Sequence, residues 1–409
     1  MKKLKKYIVF TALLACLFSL SNLNVNAGNY SVHNPFPKTE DSENTQNTTI
    51  DILAEIYGQV NADGVKENMP EAAREYLSPD DWAKDQDLNI ADISDKFNLG
   101  FIFNIILKLL RSVISIVVKN FIPVLAFIIL SAVIGVLKNI YGGEKNNFSE
   151  IINFVLILCL ASAVFYNIRD CFYTAKKFLE DIHVYMMTMI PVMASLSTLS
   201  GNITAAAANS AGLYVVLNVI EAMGNSIILP VMQICFALSF ACQLTASTDT
   251  VNLSGISSYM RSVLNWIFIF IITILTAVLL FQNILASSAD TVAARTVKFT
   301  VTSFVPVVGG MIGDVSRTII GSIQAVKSVT GIFGVLVIII TLLPPLITVI
   351  LNKFMLKISG AFALILSLDR QADFLKEMGS LLDITVAVMV SSAVVFIFDI
   401  TVFIKTVAA

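Results

Sequence analysis

Residues 332–351 read IFGVLVIIITLLPPLITVIL, twenty consecutive positions without a charged side chain. A helix needs about 20 predominantly apolar residues to cross the hydrocarbon core of a bilayer, which is ~30 Å thick. Inside that core every backbone N–H and C=O group must be hydrogen-bonded within the protein, and a helix meets this requirement by itself. The stretch therefore predicts a membrane-spanning helix.

Apolar runs continue on both sides of this stretch. They cover residues 121–141, 151–168, 186–199, 211–220, 227–244, 263–285, 300–313, 359–368 and 381–404. Several are shorter than a full crossing, which suggests re-entrant or discontinuous helices. We predict an all-α, polytopic integral membrane domain over residues 101–409 with six to eight helical crossings. Basic residues flank both sides of the early spans, so the positive-inside rule leaves the topology open.

Charge is scarce and unevenly distributed. Of the 409 residues, 56% are hydrophobic and 14% are charged, whereas about 25% are charged in an ordinary soluble protein. Residues 28–100 carry 5 basic and 15 acidic residues, a net charge of −10, and residues 101–409 carry 18 basic and 14 acidic residues. This composition excludes an ordinary cytosolic enzyme. Because there is no basic cluster beyond the N-terminal leader, we expect no nucleic-acid partner.

The first 27 residues have the layout of a secretory signal peptide. Four lysines precede an apolar run over residues 7–20 that is too short to span a bilayer, and Val25 and Ala27 supply small residues at the −3 and −1 positions. The alternatives are a lipoprotein signal at Cys16 and an uncleaved membrane anchor. Each sends the following segment across the membrane, so residues 28–100 are predicted to be extracytoplasmic.

The acidic segment over residues 28–100 has two parts. Residues 28–49 are polar and are predicted to be disordered. Residues 50–98 have apolar residues at helical spacing, with Pro70 in the first turn of a second short helix. These short helices have too few apolar residues for a core of their own. We expect them to pack on a partner or on the membrane domain; the alternative is a solvated acidic linker.

A polar stripe interrupts the first apolar helix of the membrane domain. Within residues 101–119 its members fall three or four positions apart: Asn104, Lys108, Arg111, Ser112, Ser115 and Lys119. A charge at the bilayer centre costs about 2.5–3.5 kcal/mol on the insertion scale. We therefore expect this helix to lie in the membrane interface or to turn its stripe toward a protein or water-filled interior.

Residues 181–294 and 296–409 resemble each other as a diverged internal duplication would. Prolines recur 39 residues apart in both, at Pro191 and Pro230 and at Pro306 and Pro345. Internal repeats are common in transport folds. The alternative is that Pro-containing apolar sequences resemble one another by chance.

The segment that begins at Pro306 is a candidate functional helix break. Gly309, Gly310 and Gly313 remove side chains where helices or backbone must approach closely, and Pro306 leaves the carbonyl four residues earlier without its helical donor. A break that lines a cavity is a candidate for permeation. The alternative is a packing kink without a pathway.

Four acids of the membrane domain are candidate membrane-depth sites: Glu221, Asp314, Asp383 and Asp399. A buried acid in a transmembrane segment is a functional candidate by default. Each also stands near the end of an apolar run, so interface positions are the alternative. A gradient-driven carrier needs a protonatable group in its pathway, whereas a passive channel subunit needs none.

The sequence has no recognisable enzyme signature. It lacks a GxxxxGK[ST] phosphate loop, an HExxH metal motif and a GxSxG nucleophile motif, and His33 and His183 stand outside metal-ligand patterns. We therefore predict no catalytic residue, no cofactor and no metal site.

The stretch SFVPVVGG over residues 303–310, with Lys298-Phe299 before it and Asp314 after it, resembles the stage III sporulation protein AE family. The leader, the helix over residues 69–77 and the run TGIFG over residues 330–334 agree with this family. The resemblance implies a multi-pass subunit, in the mother-cell membrane, of the channel that links mother cell and engulfed forespore. The implied partners are other products of the stage III sporulation A operon, including a secretion-type ATPase and ring-forming proteins, and stage II sporulation protein Q.

Two functions remain in competition. The first is a non-catalytic subunit that helps to form or scaffold this conduit, as part of an oligomer or hetero-complex surrounded by membrane lipid. The second is a secondary transporter or permease with inverted or parallel repeats, which the possible duplication and the broken helices favour. A neighbouring ATPase gene would favour the first.

Overall fold

A computed structural model describes residues 65, 67–75, 99–140, 147–245, 255–256, 258–275, 277 and 309–405 of the chain. The helices are, in chain order, α1 (Glu71–Arg74), α2 (Leu99–Ile140), α3 (Asn147–Leu199), α4 (Ile203–Ala222), α5 (Leu229–Thr245), α6 (Ser258–Leu275), α7 (Gly309–Ile365) and α8 (Asp369–Lys405). A π-helix, Met223–Ile228, joins α4 to α5. The predicted signal peptide, the predicted disordered part and most of the acidic short helices lie outside the described residues.

Six segments are long and apolar enough to cross a membrane. They are Phe103–Leu137, Phe154–Leu199, Ile203–Ala241, Ser258–Leu275, Val326–Ile365 and Asp369–Ile404. The third of them combines α4, the π-helix and α5. No strand occurs among the described residues, and the prediction of an all-α polytopic membrane protein is therefore confirmed.

Several helices are longer than the apolar runs of the sequence. α3 unites the runs 151–168 and 186–199 with the amphipathic stretch between them, and its 53 residues extend about 80 Å at 1.5 Å per residue. This length exceeds the ~30 Å hydrocarbon core more than twofold. The helix continues through its charged middle because Lys176 is exposed there while Phe178 and Ile182 are buried. Residues 101–119 are likewise continuous with the following span in α2.

The core of the structure is the contact of α3, α7 and α8. α7 and α8 pack together along most of their lengths, with Ile400 beside Gly334 and Leu375 beside Gly360. These two contacts fix an antiparallel register. Tyr185 of α3 also reaches Gly334 and is fully buried, so three helices meet at this glycine.

Schellman turns end α3 and α7. Gly201 has a φ of 87°, and the Asn202 N–H donates to the Ser197 carbonyl over 3.0 Å. At the second turn Ser367 has a φ of 58°, and the N–H of Leu368 donates over 2.8 Å to the carbonyl five residues earlier. Both turns reverse the chain within three residues, which places α4 beside α3 and α8 beside α7.

The two halves of the predicted duplication differ in helix layout. The first half turns between α3 and α4 at residues 200–202, whereas the residues 115 positions later lie inside the uninterrupted helix α7. The end of the first half, residues 281–294, and the start of the second half, residues 296–308, lie outside the described part of the chain. The duplication stays a prediction.

Candidate functional site

Two of the four candidate acids have basic partners on a neighbouring helix. The Lys353 ammonium of α7 contacts the Asp383 carboxylate of α8. Nδ1 of His183 on α3 lies 3.0 Å from Oε2 of Glu221 at the end of α4, without the alignment of a hydrogen bond. Both pairs tie helices together, so these acids have a structural role that the sequence did not indicate.

The other two acids differ from this pattern. Asp314 lies in the first turns of α7, and its side chain is outside the described part of the structure. Asp399 of α8 is 4% exposed, and its Oδ2 has no hydrogen-bond partner among the described residues. A buried polar atom without a partner costs about 1–3 kcal/mol, and a buried charge costs more. Asp399 is therefore the acid whose environment requires an explanation.

The His183–Glu221 contact lies beside the π-helix. Gly224 of this π-helix packs so closely on Leu179 that a Cβ at Gly224 would overlap the leucine side chain. Asn225, the next residue, has a buried Oδ1 without a partner in the described structure. π-Helical turns are rare and frequently occur at functional sites. Here the close contact of Gly224 with Leu179 fixes how the π-helix packs on α3.

The polar stripe of α2 faces outward. All six of its members are exposed: Asn104, Lys108, Arg111, Ser112, Ser115 and Lys119. The opposite face of α2 packs on the protein through Ile105, Leu109, Phe121 and Val124. The sequence left open whether the stripe lies in the membrane interface or faces a protein or water-filled interior. Because all six residues are exposed, the described part of this chain does not enclose the stripe, which lies on an outer surface.

A short piece of the acidic N-terminal segment packs beside this stripe. Glu75 lies 3.4 Å from the Lys108 ammonium, and Glu71 of α1 lies 3.9 Å from the Lys177 ammonium of α3. These pairs are largely exposed, and exposed pairs contribute about 0–1 kcal/mol. Burial of Met69 and Ala73 contributes more to holding the segment in place.

A cavity of about 350 Å³ opens next to α1. It is lined by Glu71, Glu75, Thr174, Lys177, Asp181, Thr341, Pro344, Pro345 and Thr348, with apolar side chains between them. The side chains of Glu71 and Glu75 are 92% and 61% exposed, so this cavity is open to the outside of the protein. Its inner wall is the Pro344-Pro345 segment of α7.

The candidate helix break at Pro306 is only partly described. Gly309, Gly310 and Gly313 form the first turns of α7, and Pro306 lies outside the described residues. The break stays a prediction.

Sequence reasoning missed three polar groups of the core. The sequence indicated only that His183 stands outside a metal-ligand pattern. It did not single out Lys327 or Tyr185, which are 1% and 0% exposed. A lysine just before the long apolar run 332–351 was a readable signal. Among the described residues, no group of three His, Cys, Asp or Glu side chains is placed to hold a metal ion.

Six apolar helices whose buried polar groups lie at helix contacts define a polytopic, α-helical integral membrane protein. A family model described as Stage III sporulation protein AE matches residues 88–407. The chain belongs to the stage III sporulation protein AE family. A curated relative named Stage III sporulation protein AE, from Bacillus subtilis (strain 168), is 22% identical over 233 residues, which are 57% of this chain and 57% of that relative. The matched region thus spans little more than half the length of the relative, and no solved structure matches the chain.

Proposed function

We propose that this protein is a non-catalytic subunit of the channel between mother cell and forespore, in which it forms or scaffolds part of the conduit. Membership of a sporulation protein family supports a role in endospore formation. The observation that carries the proposal is the exposed polar stripe of α2. It belongs to a segment, Phe103–Leu137, that is apolar enough to cross a membrane.

The stripe is too polar to face lipid. From Asn104 to Lys119 it extends about 22 Å along the helix, at 1.5 Å per residue. Three of its members are cationic, and each would cost about 2.5–3.5 kcal/mol at the centre of a bilayer. Water inside a conduit or the polar surface of another subunit removes this cost. A membrane subunit in a larger assembly provides such surroundings, which an isolated chain in lipid does not.

The proposal includes a location and partners. The chain is a multi-pass protein of the mother-cell membrane around the forespore, with residues 28–100 on the extracytoplasmic side. Because Glu75 of this segment contacts Lys108 at the start of the stripe, that end of α2 would face the space between the two membranes. The partners are the other stage III sporulation A-operon proteins, including the secretion-type ATPase and the ring-forming proteins, and stage II sporulation protein Q.

Purification of the tagged chain from sporulating cells in mild detergent tests this proposal. The operon partners should co-purify with the wild-type chain. The double variant Arg111→Gln/Lys119→Gln should lose partners and lower the yield of spores at normal abundance of the chain. Lys357→Gln/Arg370→Gln is the matched control, since it removes two exposed cations from α7 and α8. If both double variants keep the partners and the spore yield, the stripe is not an assembly surface.

A secondary transporter is the second candidate function. The Pro344-Pro345 pair inside the continuous helix α7, beside an open cavity, favours it. The two prolines leave two backbone carbonyls without helical donors, and transporters use free backbone carbonyls at their binding sites. Purified chain in liposomes, without other proteins, would then move a solute down an imposed ion gradient. Solute movement that appears only after operon partners are added supports the channel-subunit proposal instead.

A further inference from the structure

Buried and half-buried residues, most of them polar, recur at seven-residue intervals on α7 and α8, and we name this set the polar seam. On α8 its members recur every seven residues, at Thr385, Ser392 and Asp399, with exposures of 2%, 0% and 4%. On α7 the same interval connects Gly334, Thr341 and Thr348. Seven residues are nearly two helical turns, so each series lies on one face of its helix.

The antiparallel register brings the two series level with each other. Ile400 packs on Gly334, so Asp399 is about level with this glycine. Counting in opposite directions along the two helices places Ser392 level with Thr341. Successive levels are about 10 Å apart, at 1.5 Å per residue. Asp399 thus lies one step beyond a pair of hydroxyl-bearing residues.

The polar seam offers hydrogen-bond acceptors. Thr341 Oγ1 donates to the carbonyl four residues earlier in its helix over 2.7 Å, and Ser392 Oγ does so over 2.8 Å. Their hydrogens are thereby used, and only oxygen lone pairs remain. Pro344 and Pro345 have no N–H, so the carbonyls four residues before each lack their helical donors. Oxygen lone pairs without competing donors suit a cation and disfavour an anion.

Asp399 and Tyr185 leave polar atoms unsatisfied at this contact. Oδ2 of Asp399 and the hydroxyl of Tyr185 are both buried and lack hydrogen-bond partners among the described residues. A Cβ placed on Gly334 would lie 3.7 Å from that hydroxyl and 3.1 Å from Ile400 Cδ1. The Tyr185 hydroxyl and Ile400, the residue next to Asp399, therefore meet at the same three-helix contact. We propose that the polar seam binds a monovalent cation, a proton or a sodium ion, at the Asp399 carboxyl.

The open cavity beside α1 marks the side from which a cation would enter this site. Thr341 and Thr348 of the polar seam line that cavity together with Asp181 of α3. Water and ions in the cavity thus reach the level of Thr341 and Ser392, about 10 Å from the level of Asp399. A cation passing inward meets acceptor oxygens at each step.

On the helices around α8, Lys353 of α7 pairs with Asp383 and Arg261 of α6 pairs with Glu377, about 24 Å or more along α8 from Asp399. Nearer to Asp399, charged and titratable groups are few. Lys327 of α7 lies seven residues before Gly334 and so continues the series on that helix. It is buried and has an interaction of its own. From α3 comes Tyr185. α4 contributes Tyr214 and Glu221, and the latter is engaged by His183. α5 has no charged residue. Lys327 stands at the far end of the polar seam, so a cation enters from the cavity side.

Thermal unfolding of the purified full chain in mild detergent tests the sodium form of the site. Sodium chloride is exchanged for choline chloride at constant ionic strength and pH. Sodium should raise the unfolding midpoint of the wild type, and Asp399→Asn should raise the half-effective sodium concentration at least about tenfold. Asp383→Asn is the matched control, since it makes the same change in an acid of α8 that is paired with Lys353. It should keep the wild-type response.

A proton at the site gives a different result. The unfolding midpoint is then insensitive to sodium, and infrared difference spectra between two pH values show a protonated carboxyl band in the wild type and in Asp383→Asn but not in Asp399→Asn. If Asp399→Asn does not fold, Ser392→Ala replaces it, because loss of one acceptor should weaken sodium binding or shift that band. A chain with neither a sodium response nor a carboxyl band that depends on Asp399 or Ser392 would overturn the proposal. This test needs no partner, so its outcome is independent of the channel-subunit proposal.

Discussion

Replacing Gly334 by alanine tests how closely α3, α7 and α8 approach each other. A Cβ at this position would lie 2.8 Å from Met189 Cε and 3.1 Å from Ile400 Cδ1. Both distances are below ordinary van der Waals contact, so the neighbouring side chains must move. Overpacking of this kind costs about 1–3 kcal/mol.

Helix propensity opposes this cost. Alanine is favoured over glycine inside a helix by about 1 kcal/mol. The Met189 methyl is the end of a flexible side chain and moves at small cost, whereas Ile400 is β-branched and stiff. The net effect of Gly334→Ala should therefore be a loss of about 0–2 kcal/mol in the free energy of unfolding.

Gly379→Ala is the matched control. Gly379 lies inside α8, and a Cβ there would meet no heavy atom of its surroundings within 4 Å. Only the propensity gain remains, so this variant should be stabilised by about 1 kcal/mol. The two alanine variants should thus differ by about 1–3 kcal/mol.

Unfolding in mixed micelles with an increasing fraction of a denaturing detergent, followed by circular dichroism, measures this difference. Wild type, Gly334→Ala and Gly379→Ala are compared at the same total detergent concentration. Equal stabilisation of both variants would refute the close three-helix contact and, with it, the register on which the polar seam depends.

Three further predictions concern the ends and turns of the chain. A cysteine at Ser42, in a background without the natural cysteines, should react with a membrane-impermeant thiol reagent in intact cells, and labelling only after lysis would contradict the extracytoplasmic location. Replacing Gly309 and Gly310 together by leucine should leave membrane insertion intact but block forespore development, because bulk is added where close approach is predicted; a normal spore yield would show that the glycines are not needed. Ser367→Gly should raise the free energy of unfolding by up to about 1 kcal/mol, since the residue has a φ of 58°, and Gly201→Ala should lower it by about 1–2 kcal/mol. A loss of stability in Ser367→Gly, or a gain in Gly201→Ala, would refute the assigned backbone conformations.

The sequence predicted the class of fold but not the lengths of the helices. Apolar runs such as 332–351 and 381–404 lie in α7 and α8 as expected. The runs that merge into α3 were separated because hydropathy alone treats the charges around Lys176 and Lys177 as interruptions. A helix continues through such a stretch when the charges occupy one face and Phe178 continues the buried face. The helical periodicity of the buried residues thus predicts one continuous helix, whereas the lengths of the apolar runs do not.

The partners of the acids were beyond the reach of the sequence. Asp383 meets a lysine 30 residues earlier, and Glu221 meets a histidine 38 residues earlier. Such contacts depend on which helices pack together and in which register. The interval of seven in Thr385, Ser392 and Asp399 was readable, but the level at which it meets α7 was fixed only by the close approach at Gly334.

Spore formation by a stable Asp399 variant also separates a scaffold from a site. Replacing a buried, unpartnered carboxyl by a well-packed apolar residue is often neutral or stabilising, and the hydroxyls of Thr341 and Ser392 in the polar seam are already bonded within their own helices. In a pure scaffold, Asp399→Leu should therefore cost nothing in spore formation and should not lower the free energy of unfolding. A residue that lowers stability for the sake of ion binding behaves differently: its replacement stabilises the protein and removes a function. If the Asp399→Leu chain is stable and enters its complex normally but supports few spores, ion binding at Asp399 is needed for the function of the conduit. If the same chain supports normal spore formation, Asp399 has only a packing role.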